Sequence, residues 1–100
     1  MRRLRQAAKV DDNQAQIVKA LRCIPGCTVQ IIGQPYDLLV GFRGLWHLLE
    51  VKDPTKPISD QCLTPPQIDT LAKIRGAAPV FVVKSTDEAL AAIGAKEWGR

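Results

Sequence analysis

One histidine and three cysteines among 100 residues leave little room for a metal centre built on soft ligands. Cys23 and Cys27 enclose three residues, Cys62 stands apart, and no second pair follows. Neither a zinc ligand set nor an even disulfide framework is supported. Buried free thiols, as in a reducing compartment, are the expectation. No run of about 18 apolar residues exists, so no membrane span and no membrane partner are expected. The opening MRRLRQAAKV is basic but leads into no apolar segment, and does not read as a signal peptide. Internal repeats and low-complexity segments are also missing. What remains is ordinary for one globular domain with a single core: 46% apolar and 24% charged residues. The net charge of +4 is compatible with a polyanionic partner without demanding one.

The stretch YDLLVGFRGLWHLLEVKD, residues 36–53, organises the chain. Two apolar runs flank Arg43-Gly44, and glycine supplies the positive φ that a two-residue hairpin loop requires. With that loop, Phe42 pairs with Leu45, Leu39 with Leu48 and Asp37 with Glu50. Residues opposite one another share a face, and Lys52, two beyond Glu50, shares it too. Two opposed carboxylates on an apolar ribbon repel each other, and burial disfavours their charged forms. A divalent cation between them is the simplest reason to keep them, because Mg²⁺ is commonly held by one or two carboxylates together with water and phosphate oxygens. The plainer alternative is that Asp37 ends a strand while Glu50 and Lys52 form a surface pair. Facing of Asp37 and Glu50 decides whether a metal site is tenable. By alternation His47 falls on the opposite face and reads as a partly buried sheet residue.

The other elements follow in order. Residues 1–10 form a basic arm, read either as a frayed terminus or as a phosphate contact through Arg2, Arg3, Arg5 and Lys9. A helix is expected over residues 12–23, capped by Asp11 or Asp12, with Asp11 and Gln14 at capping-box spacing. Ile17, Val18, Leu21 and Ile24 form its apolar stripe. Gln14 lies within that stripe and Gln16 projects to solvent, so Gln14 is a satisfied core amide, a cap or a site residue. Residues 27–32 read as a first strand. The hairpin is apolar on both faces, which predicts a sheet covered on both sides. Residues 53–64 form a Pro- and Lys-bearing loop. Thr64, Pro65 and Gln67 make a capping box with proline at the first helical position. Ile68, Leu71, Ala72 and Ile74 are the expected inner stripe of that helix. A short buried strand over 79–84 should join the sheet in parallel after the helical crossover. Ser85 caps a last helix, Glu88 stands in box position and Gly94 ends it. Residues 96–100, with Trp98, form a tail.

Asp37 followed by Glu50-Val51-Lys52 resembles the D…(D/E)xK signature of the PD-(D/E)XK nuclease superfamily, and the order of elements is that of its core. The Glu50-Val51-Lys52 triplet running into a Pro/Lys loop, then Leu63-Thr64-Pro65-Pro66-Gln67, resembles the small stand-alone VRR-NUC domains of phages and prophages. The resemblance covers residues 11–94, between the arm and a tail at 95–100. It implies an α/β fold with a PD-(D/E)XK restriction-endonuclease-like core, order αβββαβ(α), and a mixed sheet flanked by helices. It implies Asp37 and Glu50 as ligands of Mg²⁺ or Mn²⁺, joined by the Val51 carbonyl. Lys52 would orient water or stabilise charge on phosphorus. Gln67 would contact DNA or position Lys52. Gln14 stands where the family's first helix usually supplies a Glu. Tyr36 replaces the proline of the "PD" pair, with Pro35 one position earlier.

The expected activity is metal-dependent endonucleolytic hydrolysis of DNA, selective for branched structure rather than sequence. Stand-alone members of this branch resemble Holliday junction resolvases, which implies a homodimer acting on a four-way junction in the cytoplasm of a phage-infected or prophage-carrying bacterium. Trp46, Trp98 and the basic arm are candidates for the dimer surface. The alternatives are a catalytically weak or inactive nuclease-fold module that binds DNA or a host protein, and a nuclease directed to flaps or ends.

Overall fold

The computed structural model describes residues 12–74 and 77–95. The basic arm, the Asp11 cap, Gly76 and the tail with Trp98 lie outside the described residues. The elements are α1 (Asp12–Arg22), β1 (Thr28–Ile31), β2 (Leu38–Phe42), β3 (Leu45–Val51), a 3₁₀ turn (Ile58–Gln61), α2 (Pro65–Ile74), β4 (Val80–Val83) and α3 (Thr86–Ile93). The strands form one mixed sheet in the order β1-β2-β3-β4, with β4 parallel to β3 and the other pairs antiparallel. The protein is thus a small α/β domain whose four-stranded mixed sheet is flanked by helices. Among the described residues no helix is long and apolar enough to cross a membrane.

The hairpin has the expected register: Phe42 faces Leu45, Leu39 faces Leu48 and Leu38 faces Leu49. Its loop residues, Arg43 at φ 53° and Gly44 at φ 81°, are both left-handed. That conformation carries the twist that two right-twisted strands need. Alternation along β2 buries Leu38, Val40 and Phe42 on one face. Ile17 and Leu21 of α1, Ile24 just after it, and Leu90 and Ile93 of α3 complete that core, with Leu49, Val51 and Val83 from the neighbouring strands. Complete burial of a leucine such as Leu38 or Leu49 contributes roughly 1.5–3 kcal/mol. The α3 ends are as expected. The Glu88 amide donates to Ser85 Oγ, and Gly94 at φ 84° closes the helix. The Glu88 carboxylate, however, accepts from the Lys84 amide, one residue ahead of the cap.

Four expectations need correction. The strand over 79–84 is an edge strand, with only Val83 buried, because nothing pairs beyond it. The outer face of the sheet is covered at one end alone: Trp46 stays half exposed and Val82 is exposed. None of the residues of α2 is fully buried, and Ile68 is 54% exposed. Polar contacts in its first turn anchor α2, and of its expected stripe Leu71 and Ile74 are only partly buried. Cys23 and Cys62 are exposed rather than buried, since both sit just beyond helical segments, where no element overlies them.

Candidate functional site

The carboxyl end of β3 is fixed from three directions. The Lys52 amide donates to the Val83 carbonyl at 2.9 Å, continuing the parallel ladder. The Lys52 carbonyl accepts from Asn13 Nδ2 at 3.0 Å, and the same nitrogen donates to the Lys84 carbonyl at 2.9 Å. On the other side the Val51 amide donates to Asp37 Oδ2 at 2.8 Å. Strands β2 and β3 therefore separate at this point, and a side-chain carboxylate takes the place of a ladder carbonyl. The Asp37 carbonyl in turn accepts from the Ile32 and Gly33 amides, which closes the bend between β1 and β2. Asp53, immediately after Lys52, turns the chain away from the sheet. Its carboxylate accepts from the Thr55 hydroxyl at 2.7 Å and the Thr55 amide at 2.9 Å. Those two bonds, the hydroxyl's first, hold the Asp53 carboxyl below its ordinary range.

The ladder ends at Leu38 opposite Leu49; Asp37 and Glu50 are the next residue on each strand, and the Asp37 carboxylate is taken up by the Val51 amide. Glu50 is 6% exposed, and its Oε2 lies 3.1 Å from the Lys52 ammonium. Its second oxygen, Oε1, is buried with no hydrogen-bond partner. A buried carboxylate oxygen without a donor costs free energy, on the order of 1–3 kcal/mol. The pair is therefore half satisfied, with one oxygen committed to Lys52 and one left for something else. Tyr36, fully buried but outside the main apolar core, stands in the field of Glu50. Burial first and the Glu50 charge second push its phenol above the ordinary value of 10.0. It stays neutral and donates to the Gln67 carbonyl at 2.9 Å.

Gln67 behaves as the capping box requires. Its amide donates to Thr64 Oγ1 at 3.4 Å, and its Oε1 accepts from the Thr64 amide at 3.1 Å. Its Nε2 also donates to the Pro35 carbonyl at 3.2 Å. Gln67 thus meets the segment that carries Tyr36 and Asp37, while the ion-pair partner of Lys52 is Glu50. Gln14 is buried, as its place in the stripe predicts, and Gln16 is exposed. Gln14 lines a cavity of about 660 Å³ between α1 and β1, together with Val18, Lys19, Arg22, Cys23 and Ile31. His47 lies on the core face, its Nδ1 3.3 Å from the Val40 carbonyl, a bond that requires the proton on Nδ1.

Two residues escaped sequence reasoning. Asn13 precedes Ile17 by one helical turn and so faces inward, a signal that the aliphatic stripe alone does not include. Tyr36 is the one tyrosine in the chain, next to the strand-end aspartate, and a buried tyrosine hydroxyl finds a partner. Among the described residues no three His, Cys, Asp or Glu side chains converge. The arrangement offers two carboxylates, one ammonium and the Val51 backbone at a single strand end. Compared with protein-family models, curated proteins and solved structures, the chain matches none.

Proposed function

We propose that this chain is a metal-dependent, structure-selective DNA endonuclease with a PD-(D/E)XK core of VRR-NUC type. Its element order and mixed sheet are compatible with that core. One observation carries the reading: the buried, unpartnered Oε1 of Glu50, beside Lys52 and at the ladder end where the Asp37 carboxylate sits. A hard cation takes oxygen donors of this kind, and it would satisfy an atom that the protein leaves without a donor. Asp37, Glu50 and the Val51 carbonyl would hold Mg²⁺ or Mn²⁺. When bound, the ion supplies Lewis-acid stabilisation of charge on the phosphate oxygens.

The chain's own groups do the rest. Lys52, its backbone pinned at both N–H and C=O, presents its ammonium where a phosphate adding water accumulates negative charge. Water bonds to phosphorus in line as the ester bond to the departing sugar oxygen breaks. Tyr36 and Gln67 hold the Asp37 segment against α2. With little surface for reading bases, the substrate is branched DNA recognised by shape and backbone. A two-fold dimer would match a four-way junction, placing the protein as a Holliday junction resolvase-like enzyme of a phage or prophage, acting in the bacterial cytoplasm.

A second reading has its own support. Gln14 lines a separate cavity, and the Glu50 charge is already balanced by Lys52. Both favour a weak or inactive nuclease-fold module that binds DNA or a host protein. The deciding experiment incubates purified protein with a labelled four-way junction, a flap and plain duplex, each with Mg²⁺, Mn²⁺ or EDTA, beside Lys52→Ala. Symmetric nicks near the branch point, lost in EDTA and in the variant, are expected. Flap cleavage alone keeps the chemistry and changes the substrate. Binding without cleavage under either metal establishes the inactive module, and Gln14→Glu then tests whether a missing carboxylate is the cause.

A further inference from the structure

Strand β1 is an outer strand of the sheet. The Ile32 amide donates to the Asp37 carbonyl, one step beyond the Ile31–Leu38 pair. Antiparallel ladders bond at every second residue, so Thr28 and Gln30 turn their backbone groups to β2, while Val29 and Ile31 turn theirs away from the sheet. Arg22 agrees with that phase, since its Nη2 donates to the outward Val29 carbonyl at 3.0 Å. The guanidinium covers the edge at Val29, as charged side chains commonly do. No hydrogen bond from another described residue reaches the outward N–H or C=O of Ile31.

The Ile31 side chain shares the core face with buried Val29, yet it is 58% exposed. It lines the cavity of about 660 Å³ beside the flank of α1. Gln14 and Val18 are the buried residues of that lining. Gln14 is 6% exposed, and its carboxamide makes no hydrogen bond to a described residue. A carboxamide offers donors and an acceptor together, the complement of a peptide unit. The charged residues of the lining are Lys19 and Arg22, with no carboxylate among them.

We propose that β1 and the cavity beside α1 together take an extended acidic peptide of another protein, which adds a strand at Ile31, seats an aliphatic side chain over Val18 and Gln14, and brings a carboxylate to Lys19 or Arg22. Backbone pairing along an edge supplies affinity, and a pocket for alternate side chains supplies selection. The lining itself chooses the occupant. A second copy paired through β1 about a two-fold axis would bring Lys19 and Arg22 of both copies together without a carboxylate, so the dimer of the proposed function uses another surface. The arm at residues 1–10 carries the same sign in Arg2, Arg3, Arg5 and Lys9. None of Asp37, Glu50 and Lys52 lines this cavity, and the proposal stands whether or not the chain cleaves DNA.

The test measures the anisotropy of a labelled peptide, threonine-glutamate-threonine-valine-threonine-glutamate-threonine, on the full chain with metal chelated and no DNA. Its glutamates and valine fall on one face of a strand. Saturable binding is expected. Lys19→Glu, at an exposed side chain, should weaken it about tenfold, because an attraction becomes a repulsion. The peptide with lysines in place of glutamates should then bind that variant better than wild type. Gln14→Leu should weaken binding by about tenfold, one hydrogen-bonded peptide unit, with the urea midpoint held or raised. N-methylation should abolish binding at one alternate set of peptide residues and spare the other, as strand addition requires. Bound peptide should shield Cys23, which lines the cavity, from iodoacetamide and leave Cys62 reactive. No binding by wild type, equal affinity in Lys19→Glu, or indifference to N-methylation overturns the proposal. So does a wild-type dimer in sedimentation that Ile31→Lys dissociates, since β1 is then the interface between copies. Failure of the nuclease reading shows separately, as absent cleavage with metal while the peptide still binds.

Discussion

Asn13 joins three elements through one amide. Its Nδ2 bridges the carbonyls that end β3 and β4, and its own carbonyl oxygen is buried without a partner. Removing the amide takes this donor away from both carbonyls at once. Asn13→Ala should therefore cost about 1–3 kcal/mol, measured by urea unfolding. If the proposed activity is correct, it should also lower the cleavage rate while leaving DNA affinity nearly unchanged, because Lys52 loses one of its two backbone anchors. Cys27 gives a pH-dependent readout. Burial pushes its thiol above the ordinary value of 9.0, so its protonated form persists to higher pH. Iodoacetamide near neutral pH should modify the exposed Cys23 and Cys62 first, with Cys27 catching up only as pH rises. Peptide mass analysis checks the order, and equal rates at neutral pH would contradict it.

The hairpin is the element on which the candidate site depends. Its register decides which residues of the two strands face each other, down to Leu38 and Leu49, and that register is set by a two-residue loop with both residues left-handed. Gly44→Ala places a Cβ in that conformation and should cost about 1–2 kcal/mol, with the loss visible as a lower urea midpoint at unchanged slope. A larger loss, with altered slope, would mean that the strands had shifted register. Helix α2 presents the opposite case. Its start is well specified by Thr64, Pro65 and Gln67, and none of its residues is fully buried. Tyr36 and Gln67 tie it to the site, through hydrogen bonds from the helix to the Pro35-Tyr36 segment ahead of β2.

At the scale of the molecule, charge is the property with the longest reach. A net +4 and a pI near 9.2 would draw in a polyanion, such as the DNA of the proposed function, before any contact is specific. Binding to a four-way junction should fall on the order of tenfold or more between about 50 and 200 mM salt, linearly in logarithms, through counterion release. A salt-insensitive affinity, measured by anisotropy with metal chelated, would argue against backbone recognition. The main core lies on one face of the sheet, between it and α1 with α3, and among the described residues the outer face is buried at Glu50 and Tyr36 and open at Trp46. That asymmetry leaves Trp46 open and Glu50 shielded on the same face.

Local chemistry alone determined the element order, the hairpin register, both helix starts at Thr64 and Ser85, and the inward direction of Gln14. Each depends on contacts within a few residues: a positive φ at Gly44, a hydroxyl accepting an amide three residues on, a period of 3.6 or 2. The Asp37–Val51 bond, the Asn13 bridge and the Tyr36–Gln67 bond were settled by the tertiary structure. They join groups 14 to 71 residues apart, and no local rule reports which distant backbone group will lack a partner. The same holds for the errors. An apolar stripe on α2 states what could be buried, whereas burial depends on whether another surface arrives to cover it, and among the described residues none covers Ile68 or Trp46.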